Sequence, residues 1–138
     1  MIDRIVIDGN DGTGKSFRIE YLKKIFPDII FNDRGIFSEY TLNDNIFNSI
    51  DSTTSIQLKK YEETKFFELI ERDNTTLYII CDCSIEKCQE RILNRGDSLD
   101  EEYHTKEDLN KYKERFLYLY NLVKGLSNVM LINTENNI

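Results

Sequence analysis

Positive charge is in short supply in this sequence: 18 lysines and arginines stand against 25 aspartates and glutamates, a formal net charge of −7. Gripping extended nucleic acid or an anionic membrane takes a basic face. This balance excludes a broad one and leaves room for a small local basic site. Long apolar runs are missing as well. None approaches the roughly 20 residues that a membrane-spanning helix needs. The N-terminus reads as a strand, not as a charged segment followed by an apolar one, so no secretory signal is expected. Cysteine is limited to Cys81, Cys83 and Cys88. An odd number, two of them in an apolar run, does not build a disulfide framework. Cys-x-Cys-x4-Cys is poor zinc spacing, and the single histidine, His104, lies well away in sequence. Buried reduced thiols in a cytoplasmic protein are the expectation. No linker, repeat or low-complexity tract interrupts the chain, so residues 1–138 read as one domain.

Strand and helix signals alternate. Residues 2–8 are apolar and rich in β-branched residues, a good strand. Residues 15–26 place Phe17, Ile19, Tyr21, Leu22, Ile25 and Phe26 mostly on one helical face, and Pro27, the only proline, stops that helix. Residues 28–32 form a short second strand ending at Asp33-Arg34-Gly35. Two helices are expected at 36–50 and 55–72, the second carrying Leu58, Tyr61, Phe66, Leu69 and Ile70. Residues 77–81 are a near-continuous apolar strand, as when both faces of a sheet are covered. Ser84 caps a helix over 84–95 that stops at Gly96. An acidic loop follows, then a helix from Thr105 to about Lys124, a last strand at 128–132, and a frayed end with Asn133, Asn136 and Asn137. This order predicts an α/β three-layer sandwich, a small mainly parallel sheet flanked by helices.

Between the first strand and the first helix lies Gly9-Asn10-Asp11-Gly12-Thr13-Gly14-Lys15-Ser16, which satisfies G-x-x-x-x-G-K-[ST], the P-loop pattern. Glycines let backbone N–H groups turn inward around phosphate oxygens, and the helix aims its positive end at the same place. Lys15 can reach the β- and γ-phosphates of a nucleotide, and the Ser16 hydroxyl can ligate Mg²⁺. The fold is then of the P-loop NTPase type. Asp33 and Arg34 follow the second strand at the edge where a P-loop sits. An acid there can organise Mg²⁺ or take a proton, and an arginine can clamp a phosphate. Lys87, Arg91 and Arg95 share one helical stripe. Arg91 and Arg95, beside the following loop, can close over transferring phosphates, whereas Lys87 reads as solvated and paired with Glu86 or Glu90. Asp82 competes with Asp33 for the metal. The acids Asp100, Glu101 and Glu102 have no assigned task, and Tyr112, Phe116, Tyr118 and Tyr120 read as core and boundary residues.

The combination resembles the thymidylate kinase and deoxynucleoside monophosphate kinase group, especially compact phage-type members. Asp8 to Ser16 is similar to that group's acid-Gly-x-Asp-Gly-x-Gly-Lys-Ser. Asp33-Arg34-Gly35-Ile36-Phe37-Ser38-Glu39 is similar to its Asp-Arg-x-x-x-Ser-Glu. Leu77 to Gly96, with Glu86, Arg91 and Arg95, resembles its strand, helix and lid, and Glu101 to Leu109 the start of its final helix. The resemblance implies transfer of the γ-phosphoryl of ATP to the 5′-phosphate of a deoxynucleotide such as dTMP, with Mg²⁺. Residues 9–16 hold the ATP phosphates, with Mg²⁺ on Ser16 and Asp33. Lys15, Asp33, Arg34, Arg91 and Arg95 are catalytic, with a lid-like segment over about 91–104. Asp11 and Arg34 contact the acceptor. Asp82 matches a position that looks structural. The location implied is the cytoplasm, a host's if the gene is phage-encoded.

The chain departs from that group between its first helix and the Asp-Arg strand. The group has an additional strand and helices there, and here Phe26 to Asp33 is one short hop. Phe17 also stands where threonine is usual. The donor half is therefore complete and the acceptor half abbreviated, with Tyr40, Phe47 and Tyr61 available to rebuild a pocket. Two other functions stay open: a kinase for a nucleoside or a nucleic-acid 5′ end, and an inactive nucleotide-binding interaction protein. The expected partner is a small nucleotide, not a membrane or extended nucleic acid. A homodimer is compatible with the sequence.

Overall fold

The computed structural model describes residues 1–51 and 56–136. The expected helix start at residue 55, the Leu58 side chain and Asn137 lie outside the described residues. Strand β1 (Arg4–Gly9) leads through the glycine loop into α1 (Lys15–Ile25). Strand β2 (Ile30–Asp33) is followed by α2 (Ile36–Thr41), α3 (Asp44–Asp51) and α4 (Ile56–Arg72). Then come β3 (Thr76–Asp82), α5 (Ile85–Asn94), α6 (Lys106–Val123) and β4 (Val129–Asn133). The four strands pair in parallel in the order β2-β1-β3-β4. All carboxyl ends therefore lie on one edge, which gathers the glycine loop, the Asp33-Arg34 turn and the β3–α5 turn.

Successive strand side chains point to opposite faces, and each face is covered. Ile5, Ile7, Ile79 and Cys81 pack with Ile19 and Leu22 of α1 on one side. Val6, Tyr78, Ile80 and Val129 pack on the other with Phe37 and Tyr40 of α2, Phe66 and Ile70 of α4, and the inner face of α6. This is the expected three-layer α/β arrangement of the P-loop type. Phe37 and Phe66 are fully buried and meet edge to face, centroids 5.0 Å apart, a contact worth about 1 kcal/mol beyond burial. All three cysteines are buried free thiols.

Three expectations are corrected. The helix over 36–50 is two helices, because the Asn43 side chain accepts the Ile46 N–H at 3.2 Å and starts a second one. The apolar stripe of α1 is only partly used. Phe17, Tyr21, Ile25 and Phe26 are exposed, because α1 lies over β1 and the four-residue edge strand β2, beyond which the sheet ends. Residues 133–135 are tied where fraying is expected. Asn133 closes β4, and Glu135 accepts the Ser84 N–H and O–H, both at 3.1 Å.

Helix α6 carries much of one core and is started by Thr105, whose hydroxyl accepts the Asp108 N–H at 3.1 Å. We expect Thr105→Ala to cost about 1 kcal/mol, read as a lower urea midpoint at unchanged slope.

Candidate functional site

The glycine loop is wedged against its neighbours. Gly9 and Gly12 adopt φ of 144° and 82°. A Cβ on Gly9 would come within 2.4 Å of the Cys81 carbonyl oxygen, and one on Gly12 within 2.4 Å of the Cys88 carbonyl oxygen. No side chain longer than hydrogen fits at either place. The Thr13 hydroxyl donates to the Asn10 carbonyl at 2.6 Å, and the Asn10 amide donates to the Leu109 carbonyl at 2.7 Å. The loop is thereby fixed internally and to α6. Gly14 occupies the cap of α1 without a side-chain bond, which keeps the positive helix end turned to the loop. Lys15 is buried and donates to the carbonyls of Gly9 and Asn10 at 3.0 and 2.8 Å. Burial first, then the charge of Arg34, pulls its pKa below the ordinary lysine value.

Asp8, the last side chain before the loop, is fully buried. Its Oδ1 accepts the Gly35 N–H at 2.9 Å and the Ser38 hydroxyl, while Oδ2 has no hydrogen-bond partner among the described residues. Burial raises its pKa against the pull of the Ser38 and Gly35 bonds. The carboxyl thus clamps the Asp33-Arg34 turn to the root of the loop, a task the sequence pattern did not assign.

A cavity of about 410 Å³ opens at this edge, lined by Asp11, Gly12, Gly14, Lys15, Ser16, Phe17, Asp33, Arg34, Arg91 and Arg95. Asp11, Lys15, Ser16, Asp33, Arg34, Arg91 and Arg95, all marked in the sequence, are among its lining. Gly9, Asn10 and Thr13 shape the loop from behind. Lys87 stays outside, paired with Glu90 at 3.2 Å. Asp82 is turned away as well, 3.6 Å from Lys113. Arg91 donates to the Gly12 carbonyl at 3.3 Å and to the Thr134 carbonyl. Arg95 reaches both oxygens of Asp11, at 2.9 and 2.6 Å, and also meets Asp97 at 2.5 Å.

A second, narrow cleft adjoins the first, sharing Asp11 and Arg34 and continued by Leu42, Tyr103, Tyr112 and Phe116. Its free volume is about 10 Å³, so it is closed in this conformation. The expected pocket of Tyr40, Phe47 and Tyr61 is not formed. Tyr40 and Phe47 are core residues, and Tyr61 is exposed on α4. The aromatic wall comes from Tyr112 and Phe116 of α6 and from Tyr103 of the loop before it. Among the described residues, the two non-glycine residues with positive φ, Arg34 at 70° and Tyr103 at 71°, both line this cleft, and strain of this kind collects at functional sites.

His104 also belongs here. Its Nε2 is 2.5 Å from Asp11 Oδ2 and its Nδ1 is 2.9 Å from the Ser98 carbonyl. Burial alone would lift the Asp11 pKa. The hydrogen bonds and charge of Arg95, followed by the His104 bond, hold it well below the usual carboxylate range. No spacing pattern in the sequence marks a lone histidine 93 positions from its partner.

Among solved structures, the chain is similar to deoxyadenosine kinase from M. mycoides with bound dCTP (14% identity, TM-score 0.56, covering 98% of this chain and 92% of that one). It is similar to the same kinase with bound dATP (15% identity, TM-score 0.56, 98% and 92%). A third structure of that kinase, with products dCMP and a flexible dCDP bound, gives 16% identity, TM-score 0.56, and 97% and 92% coverage. The chain shares the fold of these structures, and at these identities the likeness does not single out the thymidylate kinase group. No protein-family model and no curated protein matches the chain.

The clamp on the Asp33-Arg34 turn is testable. Asp8→Ala leaves the Gly35 N–H and Ser38 hydroxyl unpaired and is expected to cost about 1–3 kcal/mol in denaturant unfolding. Asp8→Asn keeps an acceptor and should cost less; equal losses would contradict the clamp.

Proposed function

We propose that the protein is an ATP-dependent phosphotransferase of nucleoside-kinase type whose acceptor is a deoxynucleoside monophosphate such as dTMP. One observation carries this reading: Lys15, Arg34, Arg91 and Arg95 converge on a single cavity that runs on, through Asp11 and Arg34, into an aromatic cleft. Four cations against two carboxylates suit a chain of phosphates. Aromatic walls suit a base, once Tyr103 moves aside.

Residues 9–16 and the start of α1 hold the ATP phosphates, and Lys15 turns from its loop carbonyls to the γ-phosphate. Ser16 and Asp33 offer hard oxygen donors to the same cavity, which fits Mg²⁺. When bound, the ion neutralises charge on the phosphates. Arg34, between the two clefts, orients the acceptor phosphate. A phosphate monoester is largely ionised at neutral pH, since its second pKa is about 6, so positioning matters more than a strong base. Arg91 and Arg95 exchange their protein acceptors for phosphate oxygens as charge develops. Asp11 meets the acceptor sugar or phosphate. Residues 1–138 act as one domain, with about 91–104 as its lid.

A second reading takes an unphosphorylated deoxynucleoside as acceptor, favoured by the fold likeness to deoxyadenosine kinase. Asp33 would then accept the 5′-hydroxyl proton.

ADP release from ATP–Mg²⁺, screened over deoxynucleoside monophosphates, deoxynucleosides and 5′-hydroxyl oligonucleotides, separates the readings. Turnover with a monophosphate supports the first, turnover with deoxynucleosides alone supports the second, and ATP binding with no acceptor-dependent turnover marks a nucleotide-binding interaction protein. Lys15→Ala should lower kcat at least a hundredfold, and a wild-type rate would remove the loop from the mechanism. Arg34→Ala should raise the acceptor KM about tenfold or more while ATP affinity holds; equal loss of both would contradict its role.

A further inference from the structure

Asp11, with Arg34, is shared by the cavity and the aromatic cleft, and both Arg95 and His104 bear on it. Arg95 takes both oxygens, and His104 takes Oδ2. The two differ in accessibility. The Arg95 side chain is 44% exposed, that of Asp11 18% and that of His104 9%. Arg95 also stands just past α5, next to Gly96, and can swing. His104 cannot. Its ring is pinned between Asp11 and the Ser98 carbonyl, its own N–H donates to the Glu101 carbonyl at 3.0 Å, and Thr105, the cap of α6, follows directly.

Nδ1 of His104 faces the Ser98 carbonyl and Nε2 the Asp11 carboxylate, two acceptors, and the Arg95 guanidinium also stands 3.3 Å from Nε2. Donating to both the carboxylate and the carbonyl takes a proton on each nitrogen, the imidazolium. Asp11 comes from the loop after β1, Arg95 from the end of α5, and Glu101 from His104's own loop, its Oε2 3.6 Å from Nδ1. Two carboxylates and one guanidinium thus surround the ring.

We propose that His104 is a positioning residue for the acceptor: it keeps Asp11 ionised and aimed into the acceptor cleft after Arg95 leaves for the phosphates. This rests on the phosphotransferase reading above. With Arg95 alone, closing the lid over the donor would strand a half-buried carboxylate, which would then rotate away or take up a proton. With His104 in place, Asp11 exchanges two cationic partners for one and stays an acceptor for a hydroxyl of the incoming sugar. Arg95 can then serve the donor without releasing the acceptor side.

Burial works against the charged ring, but the Ser98 and Asp11 hydrogen bonds and the Asp11 charge outweigh it and raise the His104 pKa, while Arg95 opposes them. The sign follows. A raised pKa means stability that is fully present below the unfolded value of about 6.5 and is lost as pH rises through the folded value.

His104 is the only histidine in the chain, so its ring signals in NMR need no assignment. We expect the wild-type ring to titrate above 6.5 with both nitrogens protonated at pH 6.5. Asp11→Asn should lower that pKa, and Arg95→Ala should raise it further by removing a like charge. In kinetics, His104→Gln should raise the acceptor KM roughly tenfold with the ATP KM within about twofold, and should abolish the rise of acceptor KM that the wild type shows above the His104 pKa. A wild-type ring titrating at or below 6.5, a pKa indifferent to Asp11→Asn, or an unchanged acceptor KM in an active His104→Gln enzyme would each overturn the proposal. Should the wild type turn over no acceptor, the phosphotransferase reading falls and the acceptor role of His104 with it. The NMR titrations still decide the ion pair.

Discussion

The close approach of the glycine loop to the β3 and α5 backbones is the constraint on which the rest of this structure depends. At Gly9 and Gly12 the loop touches the carbonyls of Cys81 and Cys88 with no room for a Cβ. That contact fixes where Lys15 and the head of α1 sit, and each element around the cavity is then referenced to the loop by its own bond. Asp8 at its root holds the Asp33-Arg34 turn. Arg91 of α5 ends on the Gly12 carbonyl, Asn10 ties the loop to α6, and Arg95 and His104 end on Asp11. A parallel sheet makes this economical, because all four strands deliver their carboxyl ends to one edge.

Electrostatics divides that edge into two parts. Lys15, Arg34, Arg91 and Arg95 crowd cationic groups into one cavity although the chain as a whole carries a net charge of −7. The acidity lies elsewhere, much of it on exposed helix faces and the loop after α5, so the local field is not that of the average. Like charges held this close repel, and acceptors on the loop and on Asp11 offset the repulsion. Phosphate oxygens are the same kind of acceptor as these carbonyls and carboxylates.

Much of this was legible in residue order. The P-loop pattern carries its own mechanism, and a strand before it and a helix after it leave one geometry. Asp33-Arg34 could be placed because a short strand had to end at the same edge. Ser84 was marked as a cap and Thr105 as the opening of a long helix, and each accepts an N–H three residues on. The aromatic cleft was not legible in the same way. The sequence nominated Tyr40, Phe47 and Tyr61 by nearness to the Asp-Arg block, while Tyr112 and Phe116 had the spacing of ordinary core residues. They are core residues, 8% and 5% exposed, and they line the cleft as well. Helical periodicity reports which face is buried; it does not report that one end of that face lies beside a phosphate loop.

The sequence by itself determined the alternating α/β order, the phosphate loop and the cations that serve it, because each rests on contacts within a few residues: turns that only glycine makes, caps three residues from their donors, stripes four residues apart. Only the tertiary structure decided the partners of Asp11, the clamp made by Asp8, the exposure of the α1 aromatics and the source of the aromatic wall. Those depend on pairs separated by 27 to 93 positions and on how wide the sheet is, and no local pattern encodes a distance that exists only after the strands have paired.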